Sequence, residues 1–210
     1  MLGLDLRDGV EGLNRYASRD LDALWRQVRS AAEAETALRD ILPALIDTYG
    51  AAAGTLAADW YDELRDKVGV GGSFQAIPAE IPETGAQALV GWAKTEANDY
   101  AAFQSLILGG MQRRIANFSR STISGSSIAD PKATGWQRVG SGACPFCAML
   151  IARGSIYSEA GADFASHDHC HCSAVPAFGG QPLPVKPYTP SARNISDADR
   201  ARVRDWIAAL

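Results

Sequence analysis

The residues able to do chemistry are crowded into one short stretch. The chain has four cysteines and three histidines, and all seven fall between residues 144 and 172. Cys144-Pro-Phe-Cys147 is a Cys-x-x-Cys knuckle, in which a tight turn brings two thiolates within reach of one ion. The second half reads His167-Asp-His169-Cys170-His171-Cys172. The chain between the halves is long enough to return the second to the ion held by the first. Such clustering in a chain without a sign of export favours a metal over disulfides. Structural zinc is expected, because zinc takes four ligands tetrahedrally and prefers thiolates where its role is structural. Two ligand sets are open. One is Cys144, Cys147, Cys170 and Cys172. The other is Cys144, Cys147 and His167 with one of Cys170 or Cys172, which leaves less negative charge on the centre. Arg153 could offset the extra charge of the first set.

Other chemistries fit these residues less well. Zinc deaminases place His-x-Glu upstream of Pro-Cys-x-x-Cys, whereas every histidine here lies downstream and the order is Cys-Pro. A redox Cys-x-x-Cys leaves the downstream cysteines unexplained. In a His-metal nuclease, His167-Asp168-His169 would follow a zinc knuckle and supply a base such as His169. Such a site also needs a hard divalent ion and a phosphate clamp, and here Cys170 and Cys172 interrupt the segment. A serine protease finds no Gly-x-Ser-x-Gly elbow, and Ser124-Gly-Ser-Ser127 marks no nucleophile.

The elements that must position the cluster begin with helices. Residues 1–75 read as helical. Leu13, Leu21, Leu24, Trp25 and Val28 suggest a first amphipathic segment, and Ser30 with Glu33 has capping-box spacing before a second. In that second helix Leu38, Leu42, Leu45, Tyr49, Ala52, Leu56, Trp60 and Leu64 alternate spacings of four and three, which predicts a stripe on one face. The alanines at 51, 52, 53, 57 and 58 would let a neighbour approach closely, and Gly69, Gly71 and Gly72 end the helix. Pro78 and Pro82 mark a linker. Thr84 is a plausible N-cap for a helix to about Phe118, with Gly109-Gly110 a kink. The Ser121–Ser127 stretch stops the periodicity. Arg113, Arg114 and Arg120 are read first as a solvated helix end and second as a contact for DNA.

Trp136-Gln-Arg-Val139 reads as a short strand, and residues 151–157 as a hairpin turning at Gly154. After Cys172 comes an extended arm with Pro176, Pro182, Pro184, Pro187 and Pro190. Ser196 could cap a final helix bearing Val203, Trp206, Ile207 and Leu210. The fold class is therefore mainly α, with a small α+β zinc-binding C-terminal module and an extended Pro-rich tail. The divisions are a helical region over 1–130, the zinc module over 131–178 and the arm with its terminal helix over 179–210.

Bulk properties set limits. The formal net charge of -4 argues against a general nucleic-acid coat, which needs a basic excess. Met1–Arg7 has no basic segment followed by an apolar core, so a secretory signal is not expected. No uninterrupted apolar run reaches the roughly 18 residues of a membrane span, so no membrane partner is expected.

Three segments together resemble a known family. They are Gly135-Trp-Gln-Arg-Val-Gly-Ser-Gly-Ala-Cys-Pro-Phe-Cys147, Arg153-Gly-Ser-Ile-Tyr157, and His167-Asp-His-Cys-His-Cys-Ser-Ala-Val-Pro176. They resemble the C-terminal domain of phage Mu protein F-like minor head proteins, with its Trp-bearing strand, Cys-x-x-Cys and closing His-x-x-Cys-x-Cys. His167, Cys170 and Cys172 match that closing pattern, while His169 and His171 fall at its variable positions. The helical front, with Leu56-Ala-Ala-Asp-Trp60, is similar to versions in phages of actinobacteria. The resemblance implies a non-enzymatic structural virion protein, oligomeric within the virion. It would be a minor capsid protein made in the host cytoplasm and placed inside the head near the portal, assisting head assembly or DNA ejection. The implied partners are the phage portal protein or major capsid protein, with packaged DNA as a further contact. The metal ligands would come from Cys144, Cys147, His167, Cys170 and Cys172. Some relatives are labelled capsid maturation proteases, which makes a phage enzyme (that protease or the His-metal nuclease) the alternative.

Overall fold

A computed structural model of the chain describes residues 4–140, 145–158, 164–183, 196–198, 201 and 205. Cys144 and the apolar members of the expected terminal helix lie outside the described residues, as do Pro184, Pro187 and Pro190. The order is α1 (Leu4–Trp25), α2 (Ala31–Lys67), α3 (Ala86–Glu96), α4 (Tyr100–Ala129), β1 (Gly135–Val139), α5 (Pro145–Ala152) and β2 (Ser173–Ala177). The molecule is mainly helical with a small two-stranded sheet. Helix α4 is the hub: α1, α2, α3 and both strands pack on it.

Helix α1 buries Leu6, Val10, Ala17, Leu21 and Leu24, and Leu13 packs partly against them. The α2 start follows its capping signal. The Ser30 hydroxyl accepts from the Glu33 amide at 3.2 Å, and the Glu33 carboxylate accepts from the Arg29 amide at 2.8 Å. The buried face of α2 differs from the expected stripe. It runs Ala34, Leu38, Leu42, Ile46, Gly50, Ala53, Gly54, Ala57, Tyr61 and Leu64. Leu45, Tyr49, Leu56 and Trp60 form a half-buried flank. That flank turns toward α1: the Tyr49 hydroxyl donates to Asp20 at 2.6 Å, and Leu56 lies over Gly9. The reason is distance. The face against α4 must be small where the helices cross, and Gly50 leaves room for the Phe118 ring of α4 that a Cβ would enter. Ala51 and Ala52 are exposed, so only Ala53, Ala57 and Ala58 of the expected alanines serve close packing. By length and composition α2 could also span a membrane, but its apolar face is spent on this core.

Pro43 sits inside α2. Proline has no N–H, so the Arg39 carbonyl loses its partner four residues on. The Gln87 side-chain amide, from α3, donates to that carbonyl instead.

The expected single helix from 84 to 118 is two helices. It breaks at Ala97–Asp99, where the Asp99 carboxylate accepts from the Ala102 amide at 2.7 Å and starts α4 afresh. Thr84 is not the cap of α3. Gly85 takes that position with φ +69, and Arg114 holds the Thr84 and Gly85 carbonyls at 2.8 and 3.1 Å. Helix α4 runs through Gly109-Gly110. Gly110 receives Leu89 of α3 and Gly109 faces His169. The serine-rich stretch is helical too. Thr122 and Ser127 are buried and return their hydroxyls to the Phe118 and Ile123 carbonyls, at 2.8 and 2.7 Å, so their polarity is absorbed within the helix.

Strand β1 forms as expected and pairs antiparallel with β2, Trp136 opposite Pro176. The extended chain after Cys172 thus begins as a fully buried, paired strand rather than as polyproline-like or irregular chain. Residues 151–157 are not a hairpin. Ile151 and Ala152 end α5, Gly154 turns with φ +56, and Tyr157 then bridges to Trp136 on the free edge of β1. One apolar core runs without interruption from the helices into Trp136, Cys147, Phe164, Cys170 and Cys172.

Candidate metal centre

Cys147 is the buried residue of α5, and the loop from 164 to 172 brings His167 and Cys170 to it. The Cys147 sulfur lies 3.6 Å from His167 Nε2 and 3.7 Å from the Cys170 sulfur. These three donor atoms lie within 4.8 Å of one another and could hold a metal ion. The 3.7 Å between sulfurs is far beyond the roughly 2.05 Å of a disulfide. His167 Nδ1 donates to the Asp168 carbonyl at 2.7 Å. That bond fixes the tautomer, so Nε2 presents its lone pair toward the two sulfurs.

Cys172 is buried beside this group, its sulfur pressed on Gly140, where an added Cβ would stand only 2.8 Å away. A hydrogen bond from Cys172 pulls the Cys170 thiol down to about 4, against the effect of burial, and the Arg120 charge and Cys147 assist. The same shared proton, together with burial, pushes Cys172 up. Of these two thiols, Cys170 is the one whose surroundings favour the thiolate, the form that binds metal.

Of the five residues expected as ligands, Cys147, His167 and Cys170 converge and Cys172 adjoins them. Cys144, one residue before α5, lies outside the described residues. His169 is exposed, with φ +59, and its ring faces Gly109 on α4. His171 is also exposed, and its Nδ1 lies 3.4 Å from Glu11 of α1. Neither histidine joins the donor cluster.

The arginine packed against the cluster is Arg120, not Arg153. Arg153 is exposed and reaches Met149. Arg120 is 3% exposed and stands against the cluster. Its Nε donates to the Cys172 carbonyl at 3.0 Å and its Nη2 to the Cys170 carbonyl at 2.7 Å. The three arginines read as one helix end are thus divided. Arg120 is buried, Arg114 holds the start of α3, and Arg113 pairs with Asp168 at 3.1 Å.

A stripe of α4 that sequence reasoning missed seats the whole loop. Gly109 gives room to His169, Arg113 pairs with Asp168, Asn117 accepts from Ser166 at 3.1 Å, and Arg120 takes the cysteine carbonyls. Their spacings of four, four and three are one helical face. That spacing was available as a signal, but polar residues at such intervals read by default as a wet surface.

Comparison with known proteins adds the family. A family model described as VG15 protein matches residues 4–195. The chain belongs to the VG15 protein family. This makes it a phage protein and points to the virion. The VG15 match spans α1 through β2 and so includes the helices, the sheet and every candidate ligand. No curated protein and no solved structure matches the chain.

Proposed function

We propose that this VG15-family chain is a non-catalytic minor capsid protein of the phage Mu protein F-like kind, placed in the head near the portal, whose C-terminal module is held together by structural zinc. The observation that carries the reading is the Cys147–His167–Cys170 arrangement. A tetrahedral zinc, with bonds of about 2.3 Å to sulfur and about 2.0–2.1 Å to nitrogen, sets its sulfurs about 3.8 Å apart and sulfur from nitrogen about 3.6 Å. The separations here are 3.7 and 3.6 Å. Cys144 or Cys172 completes the set, and four protein ligands leave no position for a reacting water. Among its described residues the module has one short helix, two short strands and many turns, the kind of small unit that a metal secures. Family membership supports the virion setting. In it, the zinc module would be a rigid block on the helical body and the arm beyond β2 a segment for docking on the portal or major capsid protein.

Elemental analysis of the purified chain tests this. The expectation is one zinc per chain, abolished in Cys147→Ser and reduced in His167→Ala, with His169→Ala unchanged. A metal-free chain purified under reducing conditions, or zinc indifferent to both Cys147 and His167, would sink it.

A further inference from the structure

Arg120 is a buried cation without a carboxylate. Among the described residues it forms no ion pair with Asp or Glu, and its side-chain hydrogen bond goes to Asn117, which accepts from Nη1 at 2.9 Å. A second buried arginine lies close by. Arg138, 6% exposed, donates to the Phe164 and Ala165 carbonyls and leaves Nη1 without a partner among the described residues. The two guanidiniums stand over the same Phe164 ring, 4.9 and 3.8 Å from its centre. Two like charges over one ring in a dry place are costly unless an anion offsets them. Arg120 holds the Cys170 and Cys172 carbonyls and lines one small cavity with both residues, so the sulfurs of this cluster are the candidate anions.

Resting on the zinc reading above, we propose that Arg120 is the positioning residue of the metal centre. Its planar fork grips the Cys170 and Cys172 carbonyls together, which fixes the turn between the two cysteines. Its charge compensates the buried thiolates. Both roles call for arginine. A lysine would keep the charge, but its single ammonium would have to serve both carbonyls and Asn117 from one point. The placement on α4 also means that metal affinity is set partly by a helix outside the module. Asn117 is the brace, joining the Arg120 guanidinium to Ser166, the neighbour of His167.

The test is a chelator competition for zinc on the full chain, with Arg120→Met and Arg120→Lys beside the unaltered protein. Partners one step removed from a ligand typically cost about 10–100-fold in metal affinity when lost, and Arg120→Met should fall in that range. Arg120→Lys should recover part of the loss. Cobalt in place of zinc reads the geometry: Arg120→Met should shift the ligand-field bands and weaken the thiolate-to-cobalt band, which a remote packing defect would leave alone. Wild-type zinc affinity in Arg120→Met, or wild-type spectra with lowered stability alone, overturns the proposal. Should Arg120→Met not fold, the unaltered chain decides through hydrogen exchange at Arg120 Nε. Exchange should be slow with zinc and fast once zinc is removed, and equal rates overturn the proposal. An unaltered chain that takes up no zinc defeats the earlier reading instead, so the two failures are distinguishable.

Discussion

Trp136 shows how one side chain carries the module. It is 2% exposed, with its ring 4.7 Å from that of Tyr157 and 5.6 Å from that of Phe164. Phe164 in turn lies beneath the two buried arginines, three residues before His167. Replacing Trp136 by Ala would empty this stack, and the expected cost is about 3–5 kcal/mol. The indole N–H is buried with no hydrogen-bond partner among the described residues. Trp136→Phe therefore removes an unsatisfied donor along with some volume and should cost far less than Trp136→Ala. Urea unfolding of both variants decides. Equal losses would mean that the indole nitrogen has an acceptor after all. At this scale the sequence was informative where chemistry is local. The cysteine and histidine spacings pointed to the cluster of Cys147, His167 and Cys170, which could hold a metal ion, because ligand spacing is a property of neighbours in the chain. It was silent on Arg120, whose partners lie about fifty residues downstream. Arg153, nearer in the chain, is exposed and reaches Met149 instead.

Helices were legible in type and mostly in extent, but not in which face they bury. The α2 start was marked by Ser30 and Glu33, since a cap is a contact across three residues. The face was misjudged because large apolar residues draw attention, whereas a close helix crossing selects Gly50, Ala53, Gly54 and Ala57. The serine run of α4 was misread for a related reason: hydroxyls that bond back to their own helix are compatible with a dry environment. Gln87 illustrates a repair between elements that sequence reasoning could not pair. Its amide serves the Arg39 carbonyl that Pro43 leaves open. Gln87→Ala should destabilise the wild type by about 0.5–1 kcal/mol, the net worth of an ordinary hydrogen bond. In a Pro43→Ala background the introduced alanine supplies its own N–H, and Gln87→Ala should then cost close to nothing. A double-mutant cycle in urea measures the difference. Equal costs in the two backgrounds would show that Gln87 acts instead through its side-chain oxygen, which accepts from Arg39 Nη1 at 3.5 Å.

At the scale of the whole molecule, the helical body and the sheet are joined where α4 ends. Asp130 caps that end and is 2% exposed. Arg65, near the end of α2, donates to its two carboxylate oxygens at 2.7 and 3.2 Å, and the Tyr61 hydroxyl and the Lys132 amide add bonds at 3.1 and 3.0 Å. These donors, from α2 and from the turn after α4, fix the corner from which β1 departs. Burial pushes the Asp130 carboxyl up, but the Arg65, Lys132 and Tyr61 hydrogen bonds together outweigh it and hold the group below its ordinary value. A carboxyl lowered on folding stabilises the folded state at every pH above its unfolded value of about 3.9. The contribution is lost as pH falls through the lower folded value. Asp130→Asn keeps the shape but removes the charge, leaving the Arg65 guanidinium unpaired in a dry place, where the penalty exceeds that of one lost neutral hydrogen bond. The variant should be clearly less stable than the wild type at about pH 7. The gap should hold down to about pH 5 and narrow below about pH 4, as the wild type itself takes up the proton. Urea midpoints of the two proteins across that range are the measurement. A gap that stays constant into acid would mean that the carboxylate acts here by shape alone, and that the charge of Arg65 is balanced elsewhere.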